Sequence, residues 1–233
     1  WRGGAARPLP GRPGEPRGGL ALRGALDTAG DSFTAMELGA GYGPWLSRAG
    51  VGWRRLRPGA PLRLIGVEGE PTHFAWLRQH LSENGLAGQG VELHEAAVAP
   101  VAGRLEFSVA EDPAHDWGTR PHAGAATGGR RTRSVVALAL GDLLAGERWV
   151  DLLHLDIQGG ELAVLTAASR ELSRVGRLCI GTHGRDLEGG LLALLPPLGF
   201  RLEAEEPCSY RCPTDRPLLT RDGTQYWINR QRL

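Results

Sequence analysis

The sequence predicts an α/β fold, in which a mostly parallel β-sheet carries helices on both faces and ends in an antiparallel strand pair. Two observations lead to this class. Short apolar segments with strand character alternate with amphipathic helical segments from about residue 33 onwards, which is typical of a parallel sheet built from strand–helix units. The last two strand-like segments, 200–207 and 222–229, indicate the closing antiparallel pair.

The individual elements follow in order along the chain. The helix at 71–84 opens with Pro71, carries apolar residues at helical spacing and stops at an Asn-Gly pair. Helices at 161–175 and 186–199 follow the fourth and fifth strands. Core strands are predicted at 33–38, 62–68, 90–98, 150–157 and 177–183, and a short helix at 20–26 precedes them. Ligands of such sheets bind at the carboxyl ends of the strands, where the strand order reverses.

Length and composition indicate one globular domain. Residues 1–19 are dominated by Arg, Gly and Pro and bury too little apolar surface to fold, so we interpret them as a linker or disordered arm and 20–233 as the folded domain. The formal net charge of +1 gives no support for a nucleic-acid partner. All 27 basic residues are Arg, which excludes a lysine base. No apolar run approaches the roughly 18 residues that span a bilayer, and we expect a cytoplasmic protein.

One long segment departs from the strand–helix alternation. It runs from 111 to 132, between strand-like stretches at 103–110 and 133–140. Long loops inside a compact domain are usually functional or disordered. We interpret this one as a lid or acceptor-recognition loop with Trp117 as its main contact, and a solvated loop without a binding role is the alternative.

A glycine-rich turn, "ELGAGYG", follows the first strand. Gly39 and Gly41 allow the backbone to approach a ligand where a Cβ atom would clash. The next strand ends in Glu68, about 25 residues beyond Gly43, and a carboxylate at this spacing can accept hydrogen bonds from ribose hydroxyls. The pair fits a dinucleotide oxidoreductase and an S-adenosylmethionine methyltransferase equally in outline, and a turn without a ligand is the third possibility.

Three details favour the methyltransferase. The glycines are spaced Gly-x-Gly-x-Gly, so the pyrophosphate-binding pattern Gly-x-Gly-x-x-Gly is incomplete. Pro44 and Trp45 occupy the place where a helix would present free N–H groups to phosphate. Glu37, at the end of the strand, would repel a pyrophosphate but attract the ammonium group of a methionine moiety.

Several segments resemble the FkbM-type methyltransferases. They are "ELGAGYGPW", "VEGEPTHFAWLRQHLSENG", "HEAAVAP" and above all "VDLLHLDIQGGELAVL", and the resemblance extends over roughly residues 30–230. The family often has Lys and Glu where this sequence has His154 and Gln158. The resemblance implies a seven-stranded, Rossmann-like methyltransferase sheet, S-adenosylmethionine as methyl donor, and O-methylation of a hydroxyl group on a sugar, glycan or secondary metabolite.

The site residues follow from the motifs and the resemblance together. We expect the turn to hold the methionine end of the cofactor, Glu68 the ribose, and Glu95 or the backbone of Ala96 the adenine edge. The expected cofactor contacts are Glu37, Gly39, Ala40, Gly41, Tyr42, Glu68, Gly69, Glu95, Ala96 and Asp156. The expected acceptor contacts are Trp117, Gln158, Glu161 and His183.

Two side chains are candidates for the base that an alcohol nucleophile needs. Asp156 ends the fourth strand and His183 ends the fifth, so both should converge on the methyl group. Either could act, and capping roles for both are the alternatives, as is a helix-dipole role for Glu161. A divalent metal held by these three residues is possible, but we do not predict one.

Two other functions remain open from the sequence. One is an NAD-dependent oxidoreductase, disfavoured by the glycine spacing. The other is a non-catalytic module of methyltransferase fold that binds a metabolite or glycan. We expect a small-molecule, sugar or glycan acceptor as the partner, and the chain could be fused to, or act with, a biosynthetic enzyme.

Overall fold

We describe a computed structural model over residues 30–109, 112–118 and 132–230. The predicted arm at 1–19 and the short helix at 20–26 lie outside the described residues. The strands are β1 Phe33–Leu38, β2 Leu62–Glu68, β3 Val91–Glu95, β4 Ala97–Ala99, β5 Gly103–Ser108, β6 Thr132–Ala139, β7 Val150–Leu155, β8 Val175–Thr182, β9 Phe200–Glu206, β10 Ser209–Arg211, β11 Leu218–Arg221 and β12 Gly223–Asn229. The α-helices are α1 Pro44–Leu56, α2 Pro71–Glu83, α3 Leu140–Ala145, α4 Glu161–Ala167 and α5 Arg185–Leu194.

The central sheet has seven strands in the order β3-β2-β1-β7-β8-β12-β9. Its first five strands pair in parallel, and β12 pairs antiparallel with both β8 and β9. The order reverses between β1 and β7, because the chain winds outward through β2 and β3 first and returns to the other side of β1 later. This arrangement confirms the predicted α/β class and the closing antiparallel pair.

Helices cover both faces of this sheet, as predicted. Alternate residues of a strand point to opposite faces. On β1, Ala35 packs in an apolar cluster with residues of α1 and α2, whereas Met36 packs in a second cluster with residues of α4 and α5. Two smaller sheets, β4-β6-β5 and the β10–β11 hairpin, lie outside the central sheet.

Several predicted boundaries were wrong. The strand predicted at 90–98 ends at Glu95, and Ala97–Ala99 pairs with β6 instead. The helix predicted at 161–175 stops at Ala167 and is followed by a 3-10 turn, Glu171–Arg174, because Val175 already begins β8. The helix predicted at 186–199 stops at Leu194, since two prolines follow that lack backbone N–H donors.

Helix α1 was not predicted. Pro44 occupies its first turn and Arg54 and Arg55 its last, which is the usual distribution of these residue types in a helix. Its buried face includes two glycines as well as Leu46 and Trp53, and these glycines weaken the helical pattern in the sequence. Among the described residues, no helix is long and apolar enough to cross a membrane.

Candidate active site

A cavity of about 370 Å³ opens at the carboxyl ends of β1, β2 and β7. This is the edge where the strand order reverses, and the sequence rule for α/β sheets places ligands there. Its walls combine the glycine-rich turn, the ends of β2 and β7, the short β4, and residues 114–118.

The glycine-rich turn needs its glycines for two reasons. Gly39, Gly41 and Gly43 all have positive φ angles, of 73°, 55° and 71°, which favour glycine. A Cβ atom on Gly39 would lie 2.0 Å from the backbone oxygen of Asp156, so the turn packs directly against the chain that leaves β7. The backbone N–H groups of Gly39 and Ala40 both donate to the Val67 carbonyl, at 3.0 Å, which fixes the turn on β2.

Glu68 connects this turn to the start of α2. Its Oε2 atom accepts a hydrogen bond from the Gly41 N–H at 2.7 Å, and its Oε1 atom accepts one from the Glu70 N–H at 2.7 Å. Burial raises the pKa of the Glu68 carboxyl, and these two backbone donors oppose that effect. Each carboxylate oxygen has a further lone pair, so Glu68 can still accept hydrogen bonds from a ligand in the cavity it lines.

Glu37 lies in the cavity at the N-terminus of α1. The helix has no side-chain cap of its own and no acidic residue in its first turn. Glu37 of β1 acts as both the side-chain cap and the acidic residue for this end of the helix, because its Oε2 atom accepts a hydrogen bond from the Leu46 N–H at 2.8 Å. Its Oε1 atom lies 3.7 Å from Nδ1 of His154. Burial raises the pKa of Glu37 to about 8.

Aromatic side chains form another part of the cavity wall. Trp117 stacks on the buried His73 ring, with centroids 4.3 Å apart and an interplanar angle of 8°. It also contacts Tyr42 edge-on at 5.6 Å. Nε2 of His73 lies 2.8 Å from the Pro113 carbonyl oxygen. The described part of the long loop, 112–118, is therefore packed against α2 and the glycine-rich turn.

The two residues predicted to contact the adenine, Ala96 and Glu95, lie in different places in the structure. Ala96 lines the cavity together with Ala97 and Val98. Glu95 points elsewhere and pairs with Arg133 of β6 at 2.6 Å, so it is absent from the cavity wall. Gly69 also lines the cavity, and a Cβ atom there would lie 2.9 Å from the Phe107 ring.

Asp156 and His183 come together as predicted from their neighbouring strands. Nε2 of His183 lies 3.2 Å from Oδ1 of Asp156, and its Nδ1 lies 3.1 Å from Oε1 of Glu161. Asp156 lines the cavity, whereas His183 and Glu161, which were predicted to contact the acceptor, do not line it. The Gln158 side chain donates to Oδ1 of Asp156 at 3.2 Å. Burial lowers the pKa of His183, but the interactions with Asp156 and Glu161 outweigh it and raise the value to about 10.

The fully buried Glu161 organises the turn that carries Asp156. It accepts hydrogen bonds from the backbone N–H groups of Ile157, at 2.9 Å, and Gly159, at 2.9 Å to Oε2. Within the described residues, Gln158 is the one non-glycine residue with a positive φ angle, 62°. Such strain is often retained at functional sites, and here it directs Gln158 into the cavity wall.

Sequence reasoning missed several cavity residues. His73, His154, Arg48 and Asp222 are not among the predicted site residues, yet all four line the cavity. The guanidinium of Arg48 lies over the Trp45 ring at 4.6 Å. His154 could have been found from its position two residues before Asp156 on the same strand face; Asp222 carried no comparable signal.

The described cavity wall is acidic. Arg48 is its one arginine, and its carboxyl groups belong to Glu37, Glu68, Asp116, Asp156 and Asp222. The low-dielectric walls strengthen the charge of an ionised carboxylate, and a cation beside Glu37 favours its ionised form, so the cavity suits a cationic ligand better than an anionic one.

Comparisons with known proteins find methyltransferases similar to this chain. A curated protein of Jannaschia sp. (strain CCS1), which carries the provisional name of methyltransferase, is 33% identical over 201 residues, covering 82% of this chain and 71% of that protein. A solved FkbM methyltransferase from Methylobacillus flagellatus KT superposes with a TM-score of 0.55 at 16% identity, over 92% of this chain and 48% of the other. This chain therefore spans about half the length of that structure.

The fold is shared more widely. A precorrin-6Y C5,15-methyltransferase from Geobacter metallireducens GS-15 is similar with a TM-score of 0.51 at 14% identity, over 91% of this chain and 86% of the other. The FkbM methyltransferase domain matches residues 55–202 here, which run from the end of α1 to β9 and include Glu68, Asp156 and His183. With that match and the Jannaschia relative, the chain belongs to the FkbM methyltransferase family.

Proposed function

We propose that the protein is an S-adenosylmethionine-dependent O-methyltransferase that acts on a hydroxyl group of a sugar, glycan or secondary metabolite. The observation that carries the proposal is the acidic cavity at the strand-order reversal, with Asp156 on its wall. A sulfonium and an ammonium group both carry positive charge, and this cavity offers them carboxyl groups rather than cations.

The residues present fit this cofactor. Gly39 and Gly41 line the cavity, and their positive φ angles would strain a residue with a side chain. We expect Glu37 to contact the ammonium group, Glu68 to accept hydrogen bonds from the ribose hydroxyls, and Ala96 to lie beside the adenine, since all three line the cavity. When bound, S-adenosylmethionine supplies an electrophilic methyl group.

Asp156 is the better candidate for the base because it reaches the cavity and His183 does not. With the donor bound, Asp156 would accept the proton of the acceptor hydroxyl and so make its oxygen a nucleophile for the methyl group that the donor supplies. Positioning supplies much of the acceleration in such transfers, and the turn held by Glu161 supplies a rigid support for Asp156.

The structure disfavours a dinucleotide in the same cavity. Pyrophosphates bind at helix N-termini through free backbone N–H groups. In α1 the Leu46 N–H is already bonded to the Glu37 carboxyl, and an anionic ligand would meet a carboxyl group there. The bond from the Leu46 N–H to Glu37 supports a methyl donor over NAD.

Calorimetric titration with S-adenosylmethionine, S-adenosylhomocysteine and NAD tests the cofactor. Binding of both adenosyl ligands without NAD is the expected result, and binding of NAD alone would overturn the proposal. A screen of sugars and natural products with methyl-labelled donor then tests turnover. Asp156→Asn should abolish transfer while the donor still binds; donor binding without transfer to any acceptor by the unaltered protein would favour the non-catalytic module.

A further inference from the structure

His183 sits between two carboxyl groups, one on each side of its ring. We propose that His183 is held as an imidazolium between Asp156 and Glu161 and acts as a positioning residue for Asp156, not as the base. The positioning role rests on the proposed function; the charge state of the ring does not.

Two short distances hold the His183 ring between the carboxyl groups of Asp156 and Glu161. Both ring nitrogens lie close to carboxylate oxygens, at 3.2 Å for Asp156 and 3.1 Å for Glu161. A neutral imidazole has one N–H group, so one unprotonated ring nitrogen would lie beside a carboxylate oxygen at this distance. An imidazolium carries N–H groups on both sides and removes that conflict. The raised pKa of His183, about 10, agrees with this assignment.

The surroundings keep the ring in place. Glu161 is fully buried and its carboxylate is tied to the backbone N–H groups of Ile157 and Gly159. Nδ1 of His183 makes no well-directed hydrogen bond among the described residues, so it meets Glu161 as an ion pair.

Asp156 is confined from the other side as well. A Cβ atom on Gly181 of β8 would lie 2.8 Å from its Cγ atom, so the carboxyl group occupies the space that a side chain would take. Gln158 donates to the same oxygen, Oδ1, that faces His183. His183 therefore connects the end of β8 and the start of α4 to the carboxyl group at the end of β7. A base held this way cannot rotate out of the cavity without breaking its ion pair.

A divalent cation is the competing occupant of this cluster. One ligand atom each from Asp156, Glu161 and His183 lies within 4.8 Å of the others. A metal on Nε2 of His183 would require that nitrogen to be unprotonated. The metal-bound cluster and the imidazolium form therefore differ by one proton on the His183 ring.

Nitrogen NMR of the ¹⁵N-histidine-labelled full chain distinguishes them, with assignment by comparison with His183→Gln. At pH 8, after treatment with chelator, both ring nitrogens of His183 should show imidazolium shifts, and adding magnesium or manganese chloride should leave them unchanged. A neutral ring at pH 8, or stoichiometric metal binding that disappears in Asp156→Asn, would overturn the proposal. This measurement needs no acceptor, so its result is independent of the proposed function.

The positioning role is tested by kinetics once an acceptor is known. His183→Gln should lower kcat roughly 10- to 100-fold, as the loss of a supporting contact does in other sites, and leave the KM for S-adenosylmethionine within about twofold. Thermal melting and adenosyl-ligand titration confirm that the variant is folded. An unchanged kcat in a folded variant would refute the positioning role, and so would an equal rise in the cofactor KM, because His183 would then act on the donor.

Discussion

Substituting Glu37 by Gln isolates the cost of a buried carboxyl group in the cavity. Glu37 is 1% exposed, and its pKa rises from an ordinary 4.5 to about 8 because the carboxyl is removed from water. Gln has nearly the same size and its carbonyl oxygen can still accept the hydrogen bond from the Leu46 N–H. The substitution therefore changes the titration of the site more than its packing.

The magnitude follows from the two pKa values. Between pH 4.5 and about 8 the unfolded chain has released the proton from Glu37 while the folded chain retains it. Folding therefore binds a proton, and the free energy of unfolding falls by about 1.4 kcal/mol per pH unit through this group. The contribution of the protonated Glu37 to the free energy of unfolding is fully present below pH 4.5 and is lost as the pH rises towards about 8. Glu37→Gln should thus gain about 3 kcal/mol on the unaltered protein between pH 5 and pH 7.

Urea unfolding at several pH values measures this difference. The stability curves of Glu37→Gln and the unaltered protein should diverge steadily with pH, whereas Glu83→Gln, on the exposed end of α2, serves as the matched control. Parallel curves for Glu37→Gln would show that this carboxyl is already ionised in the folded protein, and the reasoning from burial would fail.

The same carboxyl group predicts a proton release on cofactor binding. A cationic group placed beside Glu37 favours its ionised form, so binding at pH 7 should expel a proton. Titrations in buffers of different ionisation enthalpy should then give different apparent binding enthalpies, and Glu37→Gln should remove that dependence. An equal buffer dependence in both proteins would mean that the proton comes from another group.

Three further predictions concern neighbouring residues. Glu68→Ala should weaken S-adenosylmethionine binding at least tenfold and should also lower the melting temperature, because two backbone N–H groups lose their acceptor at about 1 kcal/mol each. Glu68→Gln should give intermediate results in both the binding and the melting measurement. Trp117→Ala should lower ligand affinity by calorimetry through loss of the stack on His73, worth about 1 kcal/mol, while Trp117→Phe retains most of it. Gly181→Ala should cost about 1–3 kcal/mol in urea unfolding and displace Asp156, whereas Gly189→Ala, where a Cβ atom meets nothing within 4 Å, should be tolerated or stabilising.

The core strands and the position of the site were predictable because they depend on local patterns. Strands such as 33–38 and 62–68 are short apolar runs bounded by turn residues, and the structure gives them the same bounds. The approach of Asp156 to His183 also followed from sequence, since both lie at the carboxyl ends of strands that a parallel sheet makes neighbours. In these cases chain order alone fixes the place of the side chain.

The remaining features depend on contacts between distant segments. Glu95 leaves the cavity because Arg133, on a strand of another sheet, pairs with it. His73 and Trp117 both line the cavity wall, where Trp117 of the long loop stacks on the His73 ring. Neither partner stands at a fixed sequence distance from the residue that it contacts, so no local pattern could have predicted these contacts.

Strand β1 lies between two sets of strands, and the proposed donor and acceptor regions of the site lie on opposite sides of it. The strands on one side, β2 and β3, end in Glu68 and the chain that leads to Ala96, which is where the proposal puts the nucleoside. On the other side, β7 and β8 end in Asp156 and His183, and the hairpin β10–β11 leads directly to Asp222 on the cavity wall. If the donor occupies the first half, the acceptor must approach over the second, because Asp156 has to meet its hydroxyl group. Changes in the hairpin should therefore alter acceptor choice while leaving donor affinity intact, and a hairpin variant that lost donor binding instead would place the acceptor on the wrong side.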